Sequence, residues 1–400
     1  MERTTSRRHW LAACASTAAA GLAGCLGSDD DRDSSGDTSG SGLLGIGGDD
    51  TLVTPDSWPM YGVDARNTGH HPDTTGPKDD VTVRWTVEAD DSFETSPAVV
   101  DGTLYAGSHD NYLYAIDVET GETEWRADLG TLVRYNPAVV DGTVYNGAHT
   151  DMYALEADSG DELWHEQLER GRWGHAVPVG SDVYVTDGYS LISLGGETGD
   201  QNQVAGLHDG ASAAPAVADG LAFVGTWDQL RAIDLETGEE EWRFKNEDEE
   251  RMTVSDPAVV DGTVYVGSSD HNLYAIDADT GDEKWRFEES SDTIYSSPSV
   301  TGGSVYIGSS DNYIYSVDAN TGEKQWEYET GLGIRAKPAI VDDTLYIGSG
   351  DGSIYALDQE TGNQIWTFKT EGIVWSGPVV LNKSVYVTSN DGNIYALEEV

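Results

Sequence analysis

The chain has 400 residues, with 72 Asp and Glu against 22 Lys and Arg, a formal charge of −50 and an isoelectric point near 4.1. A hydrophobic share of 38%, with aromatic and β-branched residues running from Trp58 onward, excludes a disordered acidic tail. The carboxylate surplus excludes nucleic acid and an anionic membrane surface as partners; it reads as the hydrated surface of a salt-adapted, haloarchaeal-type protein, with an acidic mesophilic secreted protein as the alternative.

In chain order, the first element is an export address. Ser6-Arg7-Arg8-His9-Trp10-Leu11 opens a small and apolar run to Leu22, and the paired arginines suggest the twin-arginine route. Leu22-Ala23-Gly24-Cys25 resembles a lipobox, so residues 1–24 are expected to be a signal peptide and Cys25 the lipidated first residue of the mature chain. The alternative is an uncleaved membrane segment, although the apolar run is shorter than the roughly 20 residues a span needs. Either version leads to an exported protein held on the outer face of the cytoplasmic membrane. With Cys14 removed, Cys25 is the only cysteine left and no internal disulfide can form. Residues 25–57, rich in Gly, Ser and Asp, form a flexible linker, and His70-His71 further on is expected to be solvated.

From about residue 58 the chain repeats itself. Ser96-Pro97-Ala98-Val99-Val100-Asp101-Gly102-Thr103 returns as Ser255-Asp256-Pro257-Ala258-Val259-Val260-Asp261-Gly262-Thr263, and anchoring prolines stand at 97, 137, 178, 215, 257, 298, 338 and 378. Each unit reads as an apolar strand, an Asp-Gly turn, an alternating strand, a second turn such as Ser108 to Asn111, a third strand, a Thr-Gly turn and a fourth strand bearing Trp125 or its counterpart. Eight four-stranded units of about 40 residues predict an all-β, eight-bladed propeller over 58–400. The last unit stops before a Thr-Gly turn or Trp, while Val81 to Ala89 places Trp85 40 residues before Trp125. The N-terminal strand is therefore expected to close the final blade.

The recurring Ala-x-Asp-x-x-Thr-Gly-x-x-x-Trp, complete at 115–125, 232–242, 275–285 and 356–366, resembles the tryptophan-docking repeat of pyrroloquinoline-quinone-like (PQQ-like) propellers. That resemblance implies that Trp85, Trp125, Trp164, Trp242, Trp285, Trp326 and Trp366 dock between blades. Trp58-Pro59-Met60-Tyr61-Gly62-Val63-Asp64 resembles the segment preceding the first blade in these proteins and is expected to lie across one face of the ring. The third unit departs: Gln203 stands at the Trp position and the proline spacing contracts to 37, so that blade is expected to be the loosest.

Two branches share the repeat: quinoprotein dehydrogenases, and cofactor-free BamB-type assembly lipoproteins. The dehydrogenases imply long insertions, adjacent cysteines, a calcium site and a catalytic Asp, none of which can be placed in this sequence. Catalytic residues, metal ligands and cofactor contacts are thus expected to be absent, with PQQ and calcium as the alternative. Asp110, Asp270, Asp311, Asp351 and Asp391 recur at one turn and read as turn chemistry rather than calcium ligands.

Positions that vary while the repeat stays constant are candidates for function. Three residues before the anchoring prolines stand Glu94, Arg134, His175, Ser212, Val254, Tyr295, Arg335 and Trp375, with Arg172, Trp173 and Lys337 nearby. They are expected to form a cationic, aromatic-lined rim at one channel mouth, suited to an anionic or polar small ligand or a peptide. The alternative is that they only neutralise the acidic loops. The expected role is a monomeric, non-catalytic scaffold for an unknown protein partner at the external membrane face, ahead of a quinone-dependent dehydrogenase or a small-ligand sensor.

Overall fold

The computed structural model describes residues 53–167, 174–208, 210–211, 213–246, 252 and 254–400. The leader, Cys25 and the linker up to residue 52 lie outside the described residues, as do Arg172, Trp173 and Ser212. Eight four-stranded antiparallel blades follow one another around a ring, one of them extended by a short parallel strand at His70–His71, and no helix occurs among the described residues. Blade one is typical, with strands Ala98–Val100, Thr103–Gly107, Tyr112–Asp117 and Thr123–Asp128 from the channel outward. Blade eight takes Val379–Leu381, Ser384–Thr388 and Asn393–Glu399 from the C-terminus and Val81–Glu88 from the N-terminus.

The turns obey local chemistry. Asp101 and Gly102 both have positive φ, 51° and 83°, the backbone of a type I′ hairpin turn whose twist matches the strands. At the Thr-Gly turn, Asp117 Oδ1 accepts from the backbone N–H of Glu119 and Thr120 and from the Thr120 hydroxyl, which fixes the reversal into the outer strand.

The seven tryptophans lock neighbouring blades. Each indole N–H donates to a carbonyl of the next blade at 2.8–3.0 Å: Trp85 to Val118, Trp125 to Ala157, Trp164 to Gly196, Trp242 to Ala278, Trp285 to Ala319, Trp326 to Gln359 and Trp366 to Pro77. Blade eight has no Thr-Gly turn of its own, so Pro77, just ahead of the borrowed strand, supplies the acceptor for Trp366. The Thr-Gly glycine of the receiving blade must stay glycine for two reasons. Gly121 has φ +73°, and a Cβ there would stand 2.7 Å from the Trp85 ring.

In all seven tryptophan blades a β-bulge immediately precedes the Trp. In blade three Ser193 pairs with Asn202 without interruption and the irregularity falls later, between Leu191 and Ile192. The carbonyl of Val204 then occupies the place of the ring, 2.2 Å from where a Cβ on Gly238 would lie. Blade three therefore differs in backbone as well as in side chain.

Residues 58–75 do more than lie across a face: they run around the channel along the inner strands. An inner strand is a sheet edge with unpaired N–H groups, and the segment supplies acceptors for them. Val99 and Trp58 exchange both backbone hydrogen bonds. Val139 donates to Pro59, Val217 to Ala65, Val259 to Arg66, Val300 to Thr68 and Ile340 to Gly69, all at 2.7–2.9 Å. His70–His71 then pairs in parallel with Ile340–Val341, and Asn382 and Lys383 of blade eight donate to Thr74 and Thr75. Only blade three is passed over. There Pro178 occupies the position of Val99 and has no N–H to give, and the segment turns away at Gly62 and Val63, both at positive φ.

The segment also corrects the expectation for the paired histidines. His71 is fully buried, stacks on Trp58 at 5.9 Å, and its Nε2–H faces the carbonyls of Thr54 and Ser57 at 3.0 and 2.9 Å. Burial holds its pKa below the usual imidazole value.

Candidate functional site: the channel mouth

The inner strand of each blade descends from one mouth of the channel toward the Asp-Gly turns. Its first residues therefore form two rings, one at the mouth and one a step below. The second ring sits directly before the anchoring prolines. Its members are Ser96, Asn136, His175, Ala214, Asp256, Ser297, Lys337 and Gly377.

The structure corrects the register in blade three. Pro178 pairs with Val183 as Val99 pairs with Leu104, so the counterpart of Pro97 is Ala176 and not Pro178. The apparent contraction to 37 residues disappears, and His175 moves from the mouth ring to the lower one. Counted along the chain, the mouth position falls on residue 173, which lies outside the described residues. Lys337 also belongs to the lower ring. The sequence spacing misleads at this blade because a proline, Pro178, stands two residues further along the strand.

At the mouth, Glu94, Arg134, Tyr295 and Arg335 are exposed and Trp375 is half-buried. Arg335 lies over Tyr295 at 5.5 Å and over Trp375 at 4.9 Å, so its guanidinium sits between the rings of the two flanking blades. Glu94 meets His109 at 3.4 Å and accepts from Asn390 of blade eight at 3.3 Å. Arg134 lines a surface recess of about 260 Å³ with Leu132, Tyr135 and His149. Val254 departs from the expected rim: it is buried and bridged to Ser268.

The lower ring is a polar floor. Ser96 N–H donates to Asn136 Oδ1 (2.7 Å), Asn136 N–H to His175 Nδ1 (2.9 Å), Ala214 N–H to Asp256 Oδ1 (2.6 Å) and Gly377 N–H to Ser96 Oγ (2.7 Å). Each of these side chains thus satisfies the backbone of the preceding blade. Because a backbone N–H can only donate, Nδ1 of His175 is an acceptor and the neutral ring carries its proton on Nε2. Burial pushes the His175 pKa down, opposed by the Asp256 charge.

Tyr61 of the N-terminal segment enters this floor, stacked on His175 at 5.2 Å and with Lys337 Nζ 5.8 Å from its ring. Burial foremost, then the Asp256 carboxylate, pushes its phenol up. Lys337 is only 4% exposed; Nζ donates to the carbonyls of Asn67 (3.0 Å) and Pro298. Burial lowers its pKa to about 7 against the attraction of Asp256 and Asp64. Ser297 donates to Asp256 Oδ2 at 3.2 Å, and Asp64 is pushed up by burial. The space left among Trp58, Tyr61, Ser96, Lys337 and Gly377 is a recess of about 10 Å³, room for one water. The sequence did signal Asn136, Asp256, Ser297 and Tyr61: the first three vary at a fixed offset from the prolines, but at an offset one strand step from the one chosen.

The repeated turn aspartates act locally. Tyr114 donates to Asp110, Tyr274 to Asp270, Tyr315 to Asp311, Tyr355 to Asp351 and Tyr395 to Asp391, at 2.6–2.9 Å. Their other oxygens accept from backbone N–H groups two residues on.

The architecture recurs in solved structures. BamB from Moraxella catarrhalis superposes with a TM-score of 0.68 over 80% of this chain and all of its own, at 21% identity. The quinohemoprotein alcohol dehydrogenase of Comamonas testosteroni gives 0.71 over 87% of this chain and 81% of its own, at 14% identity. At such identities the likeness is one of fold. By sequence, that dehydrogenase is 28% identical over 208 residues, and the serine/threonine-protein kinase AfsK of Streptomyces coelicolor 29% over 164. The chain spans about a quarter and a fifth of the length of these two relatives. A family model matches residues 78–167, 148–286, 228–341 and 310–400 in overlapping copies, and through them the chain belongs to the family described as outer membrane protein assembly factor BamB.

Proposed function

We propose that this propeller is a non-catalytic scaffold that presents its loop face to a partner protein, exported and held by a lipid on Cys25 at the outer face of the cytoplasmic membrane. The observation that carries this reading is where large apolar side chains are exposed. Tyr189 and Trp227 sit in the turns between second and third strands, and Tyr295, Leu332 and Ile373 in the loops leading to inner strands. By strand direction, both sets of connections lie on the mouth face. The other exposed large hydrophobics among the described residues are Val83 and Leu163 in outer strands and Val400 at the chain end. Monomeric surfaces seldom gather apolar residues on one face unless something covers them.

The donor set does not fit a quinone and calcium. No three His, Cys, Asp or Glu side chains among the described residues converge as a metal site requires, and the channel floor is filled by Tyr61 and residues 58–75. A tricyclic quinone needs a pocket of roughly 300 Å³ or more.

The test is site-specific photocrosslinking in the native membrane, with the probe placed in turn at Trp227, Tyr295 and Leu332 on the mouth face and at Asp101 and Asp261 on the opposite turns. One and the same partner captured from the first three positions and not from the last two supports the reading. Capture independent of face, or stoichiometric PQQ binding with dye reduction by the purified protein, overturns it.

A further inference from the structure

The chain carries 72 acidic residues, yet Arg335 has no carboxylate within ion-pairing distance among the described residues. Cations on the outer strands are paired: Lys324 meets Glu289 and Glu327, Arg286 meets Glu283, and Arg243 meets Glu240. Arg335 instead lies against two aromatic rings, Tyr295 on one flanking blade and Trp375 on the other. Trp375 is itself seated on Gly350, where a Cβ would come within 3.0 Å of its ring.

This arrangement has a chemical consequence. Aromatic rings packed against a guanidinium displace water on those sides and leave its free N–H groups as the hydrogen-bonding surface, in the planar fork that matches a carboxylate with two parallel bonds. Pre-ordering the side chain also removes most of the rotamer entropy that an exposed Arg loses on binding. Leu332 stands 55% exposed in the same loop as Arg335, and Ile373 36% exposed in the next loop, that of Trp375. An isolated inorganic anion has no use for these apolar flanks, whereas a carboxylate carried on an apolar body uses both.

The direction of approach narrows the source. The mouth opens above a floor closed by Tyr61, His175 and Lys337, with room for one water. A mouth with a filled floor one strand step below admits the end of a chain more readily than the middle of one, which must enter as a loop with two strands abreast. We infer that Arg335, held between Tyr295 and Trp375 and flanked by Leu332 and Ile373, is a receptor site for the C-terminal carboxylate of a partner polypeptide with apolar terminal residues. This rests on the scaffold reading above and assigns its partner a chemical feature.

The probe is a fluorescein-labelled hexapeptide ending in two leucines, made with a free C-terminal carboxylate, as its C-terminal amide, and as an amide with one internal aspartate. Fluorescence anisotropy against the folded propeller, in the salt that keeps it soluble, gives the three affinities. The free acid is expected to bind about tenfold more tightly than either amide, the worth of one bidentate charged contact. Arg335→Gln should erase the difference and Arg335→Lys keep only part of it, because an ammonium cannot form the planar pair. Arg335 is exposed, so both variants should fold, which circular dichroism checks. Equal binding of acid and plain amide, or a preference that survives Arg335→Gln, overturns the site; equal binding of the free acid and the internal aspartate overturns the chain-end assignment. The photocrosslinks from Trp227, on blade four, stand or fall separately.

Discussion

Lys337 offers a direct test of how the channel floor is built. Its amine is buried and donates to two carbonyls, one from blade six and one from the N-terminal segment. Burial lowers its pKa from 10.5 to about 7. The unfolded chain binds a proton on this amine below pH 10.5, and the folded protein does so only below about pH 7. Stability therefore rises with pH across that window, and below it the full cost of the buried charge is present. The whole interval corresponds to about 5 kcal/mol, and the part between about pH 7.5 and 9.5 to about 3 kcal/mol. Guanidinium unfolding midpoints measured at those two pH values should move upward in the wild type, with little change in the Lys337→Met protein. The variant leaves the Asn67 and Pro298 carbonyls without that donor, each at a cost of about 1–3 kcal/mol. Should it not fold, the wild-type slope still decides. A wild-type midpoint that is flat or falls over this range, or an equal slope in a folded variant, would refute the assignment.

Three further outcomes follow from the blade contacts. Trp242→Phe should cost about 1–2 kcal/mol by thermal or denaturant unfolding, and more than Trp366→Phe, because Pro77 keeps a second donor in Tyr346 at 3.0 Å while Phe223 cannot replace the indole at Ala278. Gln203→Trp should not stabilise blade three, since the Val204 carbonyl already fills the docking position against Gly238; a raised unfolding midpoint would show that the displaced bulge can shift back. Asp117 and Asp358 are held below the usual carboxylate range by hydrogen bonds from Thr120 and Thr361, as Asp234 is by Thr237. They contribute stability above their unfolded pKa that is lost as pH falls through the folded one, so Thr120→Val with Thr361→Val should weaken the dependence of the midpoint on pH below about 4.

The repeat was legible because every blade makes the same local demands. Asp-Gly gives the hairpin its twist, Asp and Thr tie the outer turn, and a Trp four residues after the glycine reaches the next blade. Such signals lie within a few residues and survive without tertiary information. The borrowed strand could also be read, since Trp85 keeps the repeat spacing and the C-terminus ends one strand short. The inner rings were harder. A single misplaced proline, Pro178, shifted one blade by two residues and exchanged Trp173 for His175.

Sequence alone thus determined the number of blades, the residues that dock them and which strand closes the ring, because these depend on spacing along the chain. The path of residues 58–75 was decided only in three dimensions. Its acceptors meet N–H groups on seven blades hundreds of residues apart, and the omission of blade three depends on one missing proton on Pro178. Likewise, only the assembled ring sets Arg335 between aromatic side chains from two other blades, because contacts of that range leave no periodic trace in the sequence that makes them.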